Sequence, residues 1–220
     1  MAGVSRETVP APDPAVAAFL VPPERLLLME RYAGLLANEG VSRGLIGPRE
    51  VPRLWDRHLM NCALLAPLVP EESRVADIGS GAGLPGLVLA LARPDLEVTL
   101  VEPMARRVAF LEEVVAVLQL QSVAIARARA QDWVPASRFD VVTGRAVAPL
   151  PKLLAWAMPL VADDGVVLAI KGAAAAEEIE AARPVLRQWG ARAEVVTSSV
   201  PDSSVTTVVR VVRDRRAGIG

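Results

Sequence analysis

The sequence predicts an α/β fold: a mostly parallel seven-stranded sheet with helices on both faces and an N-terminal helical extension. Three observations predict it. After Pro70, short β-branched runs alternate with helix-length apolar stretches, a pattern that requires right-handed crossovers and a parallel sheet covered on both sides. From Glu24 to Ala66 the apolar spacing is helical instead. A chain of 220 residues with 52% apolar and 22% charged side chains suits one core carrying an appendage, because it is long enough to bury most of its unfolded surface but short for two full domains.

Taken in order, residues 1–23 include Pro10, Pro12, Pro14, Pro22 and Pro23 and read as a flexible arm, with room for one helical turn at 15–20. Residues 24–69 form a helical cap. There Leu28, Tyr32 and Leu35 share one face and Trp55, Leu59 and Cys62 another, while Gly40, Gly44, Gly47 and Pro48 separate the helices. Residues 70–220 supply strand 74–78, helix 84–92, strand 97–101, helix 104–118, and strands 122–126 and 139–143. Helix 149–160, strand 166–170, helix 173–189 and a closing hairpin of 193–196 with 205–212 complete the sheet. Within 104–118 the helical period is carried by Met104, Val108, Leu111, Val115 and Leu118.

Composition narrows the function. The net charge of −1 leaves no global basic field, so an anionic partner must be met by a local patch. Cys62 is the one cysteine and His58 the one histidine, which speaks against a disulfide framework, a metal site or a Ser-His-Asp triad. Cys62 reads as a small core residue. No apolar stretch reaches the ~20 residues of a membrane span, and the first residues lack the pattern of a signal peptide. The expectation is a cytoplasmic chain away from membranes. Arginine outnumbers lysine 22 to 2, an excess that fits a GC-rich genome first and a demand for arginine chemistry second.

The chemistry concentrates at Asp77-Ile78-Gly79-Ser80-Gly81-Ala82-Gly83-Leu84-Pro85-Gly86, where the first strand gives way to the first helix of the sheet. Open α/β sheets bind ligands at such a switch point. Glycines let the backbone approach a ligand closely, and a helix start offers unpaired N–H groups. Residues 81–86 also satisfy the dinucleotide pattern G-x-G-x-x-G, and Glu102 follows Gly81 by 21 residues, the position of an acid that holds a ribose. A nicotinamide oxidoreductase is therefore one reading. Against it, Asp77 would repel a pyrophosphate and suits a cationic amino-acid group. The single tyrosine, Tyr32, lies in the cap rather than the sheet, and little chain remains for a substrate domain.

Asp-x-Gly-x-Gly-x-Gly followed by an acid at the end of the second strand resembles the Rossmann-like class I methyltransferases. That resemblance implies S-adenosylmethionine as cofactor, with the loop near its methionyl part and Glu102 on both ribose hydroxyls. A narrower resemblance covers about residues 60–220: the loop with its Gly-Leu-Pro-Gly ending, Arg106-Arg107-Val108-Ala109-Phe110-Leu111, Phe139-Asp140-Val141-Val142, Gly144-Arg145-Ala146 and Lys171-Gly172. Together they are similar to the glucose-inhibited division protein B family. The resemblance implies methylation of N7 of a guanine in 16S rRNA of the small ribosomal subunit. It places cofactor contacts on Gly79, Leu84, Ala130, Gln131 and Arg145, with Ala130 serving through its backbone; Asp77, Gly81 and Glu102 join them from the loop argument. At Gly44-Leu45-Ile46 the chain departs from the Asn-Leu-Thr-like run usual in the family.

Guanine N7 offers a lone pair, so positioning should dominate over acid–base chemistry, and no catalytic residue is assigned. Arg145 and Lys171, ending the fourth and fifth strands at the sheet's carboxyl edge, are the candidates for positioning the substrate. His58, among Asp56, Arg57 and Asn61, is expected as a helix-surface or capping residue. Of Arg106 and Arg107, one is expected on a phosphate and the other covering apolar surface. Six arginines against four acids in 25–57, and four arginines after Val209 against Asp214, make modest basic patches. The reading is a monomeric methyltransferase. Its alternatives are an NAD(P)-dependent oxidoreductase and a non-catalytic, cofactor-sensing ribosome-assembly factor.

Overall fold

The computed structural model describes residues 21–200 and 205–214. The arm before Val21, with the expected turn at 15–20, lies outside the described residues, as do Arg215 and Arg216. Helix α1 spans Pro23–Leu35 and opens on proline, which costs nothing where the first N–H has no partner. It runs on through a wide π turn, Leu36–Gly40. After a 3-10 turn at Pro48–Arg53 comes a second π turn, Leu54–Leu59, leading into α2 (Met60–Ala63). The buried side of α1 is Met29, Tyr32 and Ala33, continued by Leu36. The face is therefore turned about one residue from the expected Leu28, Tyr32 and Leu35, because small Ala33 counts toward burial as much as a leucine.

The sheet follows: β1 (Arg74–Ile78), α3 (Gly86–Ala92), β2 (Glu97–Val101), α4 (Ala105–Leu118), β3 (Val123–Ala126) and β4 (Phe139–Arg145). It ends with α5 (Leu150–Ala157), β5 (Val161–Lys171), α6 (Ala175–Trp189), β6 (Ala191–Ser199) and β7 (Val205–Arg213). Strand order is β3-β2-β1-β4-β5-β7-β6. Neighbours from β3 to β5 pair in parallel, and β7 runs antiparallel to both β5 and β6. The order reverses between β1 and β4, which puts the switch point at their carboxyl ends.

Both faces are covered. Val75, Val98, Leu100, Val141 and Leu168 point to one side and pack under α3, α4 and the cap, whose Tyr32, Trp55, Leu59 and Cys62 share that core. Ala76, Ile78, Val101, Val142 and Val167 point to the other, under Leu150, Leu153 and Leu154 of α5 and Ala182 and Leu186 of α6. Alternate residues on opposite faces are the period-2 signature of strands. In α4 the buried residues are Val108, Phe110, Leu111, Val114 and Leu118, while Met104 is exposed. Arg93 fastens cap to sheet. Its guanidinium donates to both Asp95 carboxylate oxygens at 2.8 and 2.7 Å and to the carbonyls of Ala66 and Val69 at 3.0 and 2.9 Å. No helix among the described residues is long and apolar enough to cross a membrane.

Candidate active site

β1 delivers Asp77 to the start of the glycine loop, and the loop is tied on every side. The N–H groups of Gly79 and Ser80 donate to the Val101 carbonyl at the end of β2, at 2.8 and 3.2 Å. Ser80 Oγ donates back to the Asp77 carbonyl at 2.7 Å. The Tyr32 hydroxyl reaches in from α1 and donates to the Ala82 carbonyl at 2.8 Å. Gly86 opens α3 hard against β1, where its N–H donates to Asp77 Oδ2 at 2.9 Å and a Cβ would sit 2.4 Å from Leu100. Only glycine permits that approach of helix to strand. Gly79, at φ +69°, turns the chain beneath Val147.

A cavity of about 340 Å³ opens at the carboxyl ends of β1 and β2, lined by Gly79, Glu102, Arg107, Arg129, Ala130, Gln131 and Trp156 among others. Glu102 is 1% exposed. Its Oε1 accepts the Met104 N–H at 2.9 Å, and its Oε2 accepts the Gly81 N–H at 3.0 Å and faces the Arg107 guanidinium at 3.4 Å. The carboxylate at the tip of β2 thus fastens the glycine loop and keeps lone pairs for a ligand's hydroxyls. Of the two arginines expected to share a phosphate contact and an apolar-covering role, Arg107 has this carboxylate as its partner.

A second cavity, about 890 Å³, adjoins the first, and Ala146 and Val147 line both. Arg57, His58 and Asn61 come to it from the cap, Arg145 from β4, and Lys171 and Glu178 from β5 and α6. His58 is not the surface or capping residue expected. Its Nδ1 lies 2.9 Å from an Arg145 guanidinium nitrogen and its Nε2 lies 2.7 Å from Glu50 Oε2. Burial lowers its pKa, the Glu50 hydrogen bond raises it and the Arg145 charge lowers it, with a net fall. Lys171 is likewise no free cation. Its ammonium donates to Glu178 Oε2 at 2.7 Å and to the Ala148 carbonyl at 2.9 Å.

Of the expected cofactor contacts, the structure brings Gly79, Glu102, Ala130 and Gln131 to one cavity wall. Asp77 and Leu84 lie buried behind the loop, Gly81 sits with its N–H bound to Glu102, and Arg145 lines the adjoining cavity. Asp77 is off the wall because its carboxylate is turned to the α3 N-terminus. Sequence reasoning missed Arg129 and Trp156 on the first cavity, His58 on the second, and Glu50 behind His58. Nothing in their spacing marks them; His58 and Arg145 stand 87 residues apart. Of the tail patch, Arg210 and Arg213 are within the described residues. Arg210 pairs with Glu194, and Arg213 lies over Trp189 and donates to the Met158 carbonyl. Arg213 lies past the Val166–Val212 pair, away from Lys171 along β5, while Arg210 pairs with Leu168 in mid-strand.

Strand order, glycine loop and acid at the tip of β2 together define a Rossmann-like methyltransferase. The fold is similar to that of P. horikoshii TYW2 in complex with MeSAdo (TM-score 0.56, 14% identity, 71% of this chain and 63% of that one). It is similar also to a ribosomal protein L11 methylase from Lactobacillus delbrueckii subsp. bulgaricus (TM-score 0.55, 17% identity, 72% and 79%). Within that class the chain belongs to the GidB family, rRNA small subunit methyltransferase G, whose family model matches residues 25–205. A relative from Nocardioides sp., named ribosomal RNA small subunit methyltransferase G, is 60% identical across 95% of this chain and 84% of its own. One of the same name from Thermobifida fusca is 55% identical across 86% and 80%.

Proposed function

We propose that this chain, acting as a monomer in the cytoplasm, moves a methyl group from S-adenosylmethionine to N7 of a guanine in 16S rRNA of the small ribosomal subunit. The observation that carries this reading is the pair of cavities divided by Ala146 and Val147. One holds a buried carboxylate at the tip of β2; the other is rimmed by Arg57, Arg145 and Lys171. The first fits the cofactor in polarity and layout. Glu102 accepts the ribose hydroxyls, Gly79 presents bare backbone to the methionyl part, and Ala130, Gln131 and Trp156 frame the adenine. Asp77, Gly81 and Leu84 shape the loop from behind.

Bound S-adenosylmethionine supplies an electrophilic methyl on a sulfonium. Guanine N7 has an in-plane lone pair and no proton to lose, so the chain needs no general base and contributes by alignment. Arg145 acts toward the nucleotide rather than the cofactor, since it lies on the far side of the dividing wall. A hydride-transfer reading finds no support here: Tyr32 is buried behind the loop, and no lysine or tyrosine lines the first cavity.

Tritiated methyl transfer to small subunits that lack the modification tests the reading, followed by alkaline aniline cleavage, which cuts at N7-methylguanine. Cleavage at one guanine is expected. Label on an exocyclic nitrogen or a ribose refutes the assignment to N7, and absence of transfer together with binding of NADH revives the oxidoreductase.

A further inference from the structure

We propose that Glu50 and His58 are positioning residues that aim the Arg145 guanidinium into the second cavity. The inference rests on the methyl-transfer reading above, and it concerns residues of the cap rather than of the sheet. A guanidinium can only donate hydrogen bonds. The contact from Arg145 at 2.9 Å therefore fixes His58 Nδ1 as the bare nitrogen, leaves the proton on Nε2, and directs that proton to Glu50 Oε2 at 2.7 Å. Carboxylate, imidazole and guanidinium form one directional chain. It is anchored again by Arg57, which donates to Glu50 Oε1 at 3.2 Å.

Arginine carries a long, freely rotating stem, and ordering it at the moment of binding would cost affinity. Here one edge of the fork is already held. Its remaining N–H groups are left for acceptor oxygens of the nucleotide. They cannot serve at N7 itself, because a hydrogen bond there would occupy the lone pair that must attack the methyl group. The π turn at Leu54–Leu59 brings His58 to this point, in keeping with the frequent use of such turns at functional sites.

The chain also has a sign in pH. The charged groups facing His58 are Glu50 and Arg57 from the cap and Arg145 from β4, with the Lys171–Glu178 pair on the same cavity. A proton on Nδ1 would remove the only acceptor offered to Arg145 among the described residues and set two cations together. Burial and Arg145 hold the imidazole neutral near pH 7. Acidification below its lowered pKa releases the guanidinium.

The test uses the intact protein, small ribosomal subunits lacking the methyl group and tritiated S-adenosylmethionine, read as kcat/KM for subunits from pH 5 to 9. Calorimetry gives the cofactor Kd in parallel. His58→Ala should lower kcat/KM about 10- to 100-fold, the worth of one charge-assisted hydrogen bond, with cofactor Kd within about threefold. His58→Asn places an oxygen near the position of Nδ1, an acceptor that does not titrate. It should recover most of the rate and flatten the acid limb of the profile. Native rates and an unchanged acid limb in His58→Ala overturn the proposal, as does a His58→Asn chain that recovers nothing. Where His58→Ala fails to fold, the profile of His58→Asn decides, and an acid limb retained there overturns it. A native chain that binds cofactor but transfers no methyl overturns the function and this inference together; native transfer with indifferent variants overturns this inference alone.

Discussion

Asp77 is fully buried, and burial pushes its carboxyl up to about 7, against the Gly86 hydrogen bond that favours the charged form. Its Oδ1 finds no partner among the described residues. The folded value lies above that of an unfolded aspartate, so the contribution to stability is full below about pH 4 and lost as pH rises through 7. Relative to Asp77→Asn, the native chain should lose up to about 1.4 kcal/mol per pH unit between pH 5 and 7 and then level off. Urea unfolding of both chains across pH 5–8.5 checks this, and parallel curves would place the titrating group elsewhere. Taking the difference removes His58, whose lowered pKa acts in the opposite sense. At Glu102 the expectation concerns ligand rather than fold. Glu102→Ala should weaken S-adenosylmethionine by about 1.5–3 kcal/mol, the usual worth of hydrogen bonds to a charged group. An unchanged Kd by calorimetry would remove Glu102 from the cofactor site.

Among the elements, the junction of β5, α5 and α6 is held by one ion pair. Glu178 Oε2 accepts from both the Lys171 ammonium and the Leu150 N–H, at 2.7 Å each. Lys171→Ala leaves a half-buried carboxylate short of its cation, an arrangement that costs about 1–3 kcal/mol. Adding Glu178→Gln to Lys171→Ala should return part of that loss, because no unpaired charge remains. Thermal melts of the single and double variants measure the coupling, and strict additivity would show that the pair contributes nothing. Which parts of this were legible follows from range. β1 and β2 match their expected bounds because Ser73, Gly79 and Glu102 bracket short β-branched runs. β5 begins at Val161 rather than at 166, since Asp163-Asp164-Gly165 reads as a turn but continues the strand through a shift of register against β4. Gly79 and Glu102 were found because loop and acid lie within one βαβ unit. The Glu50–His58–Arg145 chain and the Lys171–Glu178 pair were not, because they are created by packing between elements.

At the scale of the whole molecule, a net charge of −1 means that binding of an RNA particle rests on a few local cations. Arg43 is spent on Glu39 and Glu113, Arg210 is paired with Glu194, and Arg213 lies over Trp189. Arg57 and Arg145 line the second cavity, and Arg53 lies near Glu50 on the same part of the cap. The log–log dependence of subunit affinity on salt should therefore be shallow, a slope of roughly −2 to −4 for that many phosphates. Arg53→Ala should reduce it by about one unit. Filter binding between low and physiological salt measures both, and a slope unmoved by Arg53→Ala would exclude that face.

β7 is threaded between β5 and β6, and at its start Thr206 Oγ1 donates to the Asn61 carbonyl of α2 at 2.9 Å. The seventh strand of the sheet thus meets helices that are synthesised well before it. Domains otherwise tend to fold from the N-terminus during synthesis. Here β5 and the cap pair with a strand translated after both, and closing so long a loop makes the step intrinsically slow. A nascent chain stopped after β6 has its glycine loop and Glu102 but lacks the strand that braces the His58 helix. The brace on Asn61, which lines the second cavity, forms only once β7 is in place.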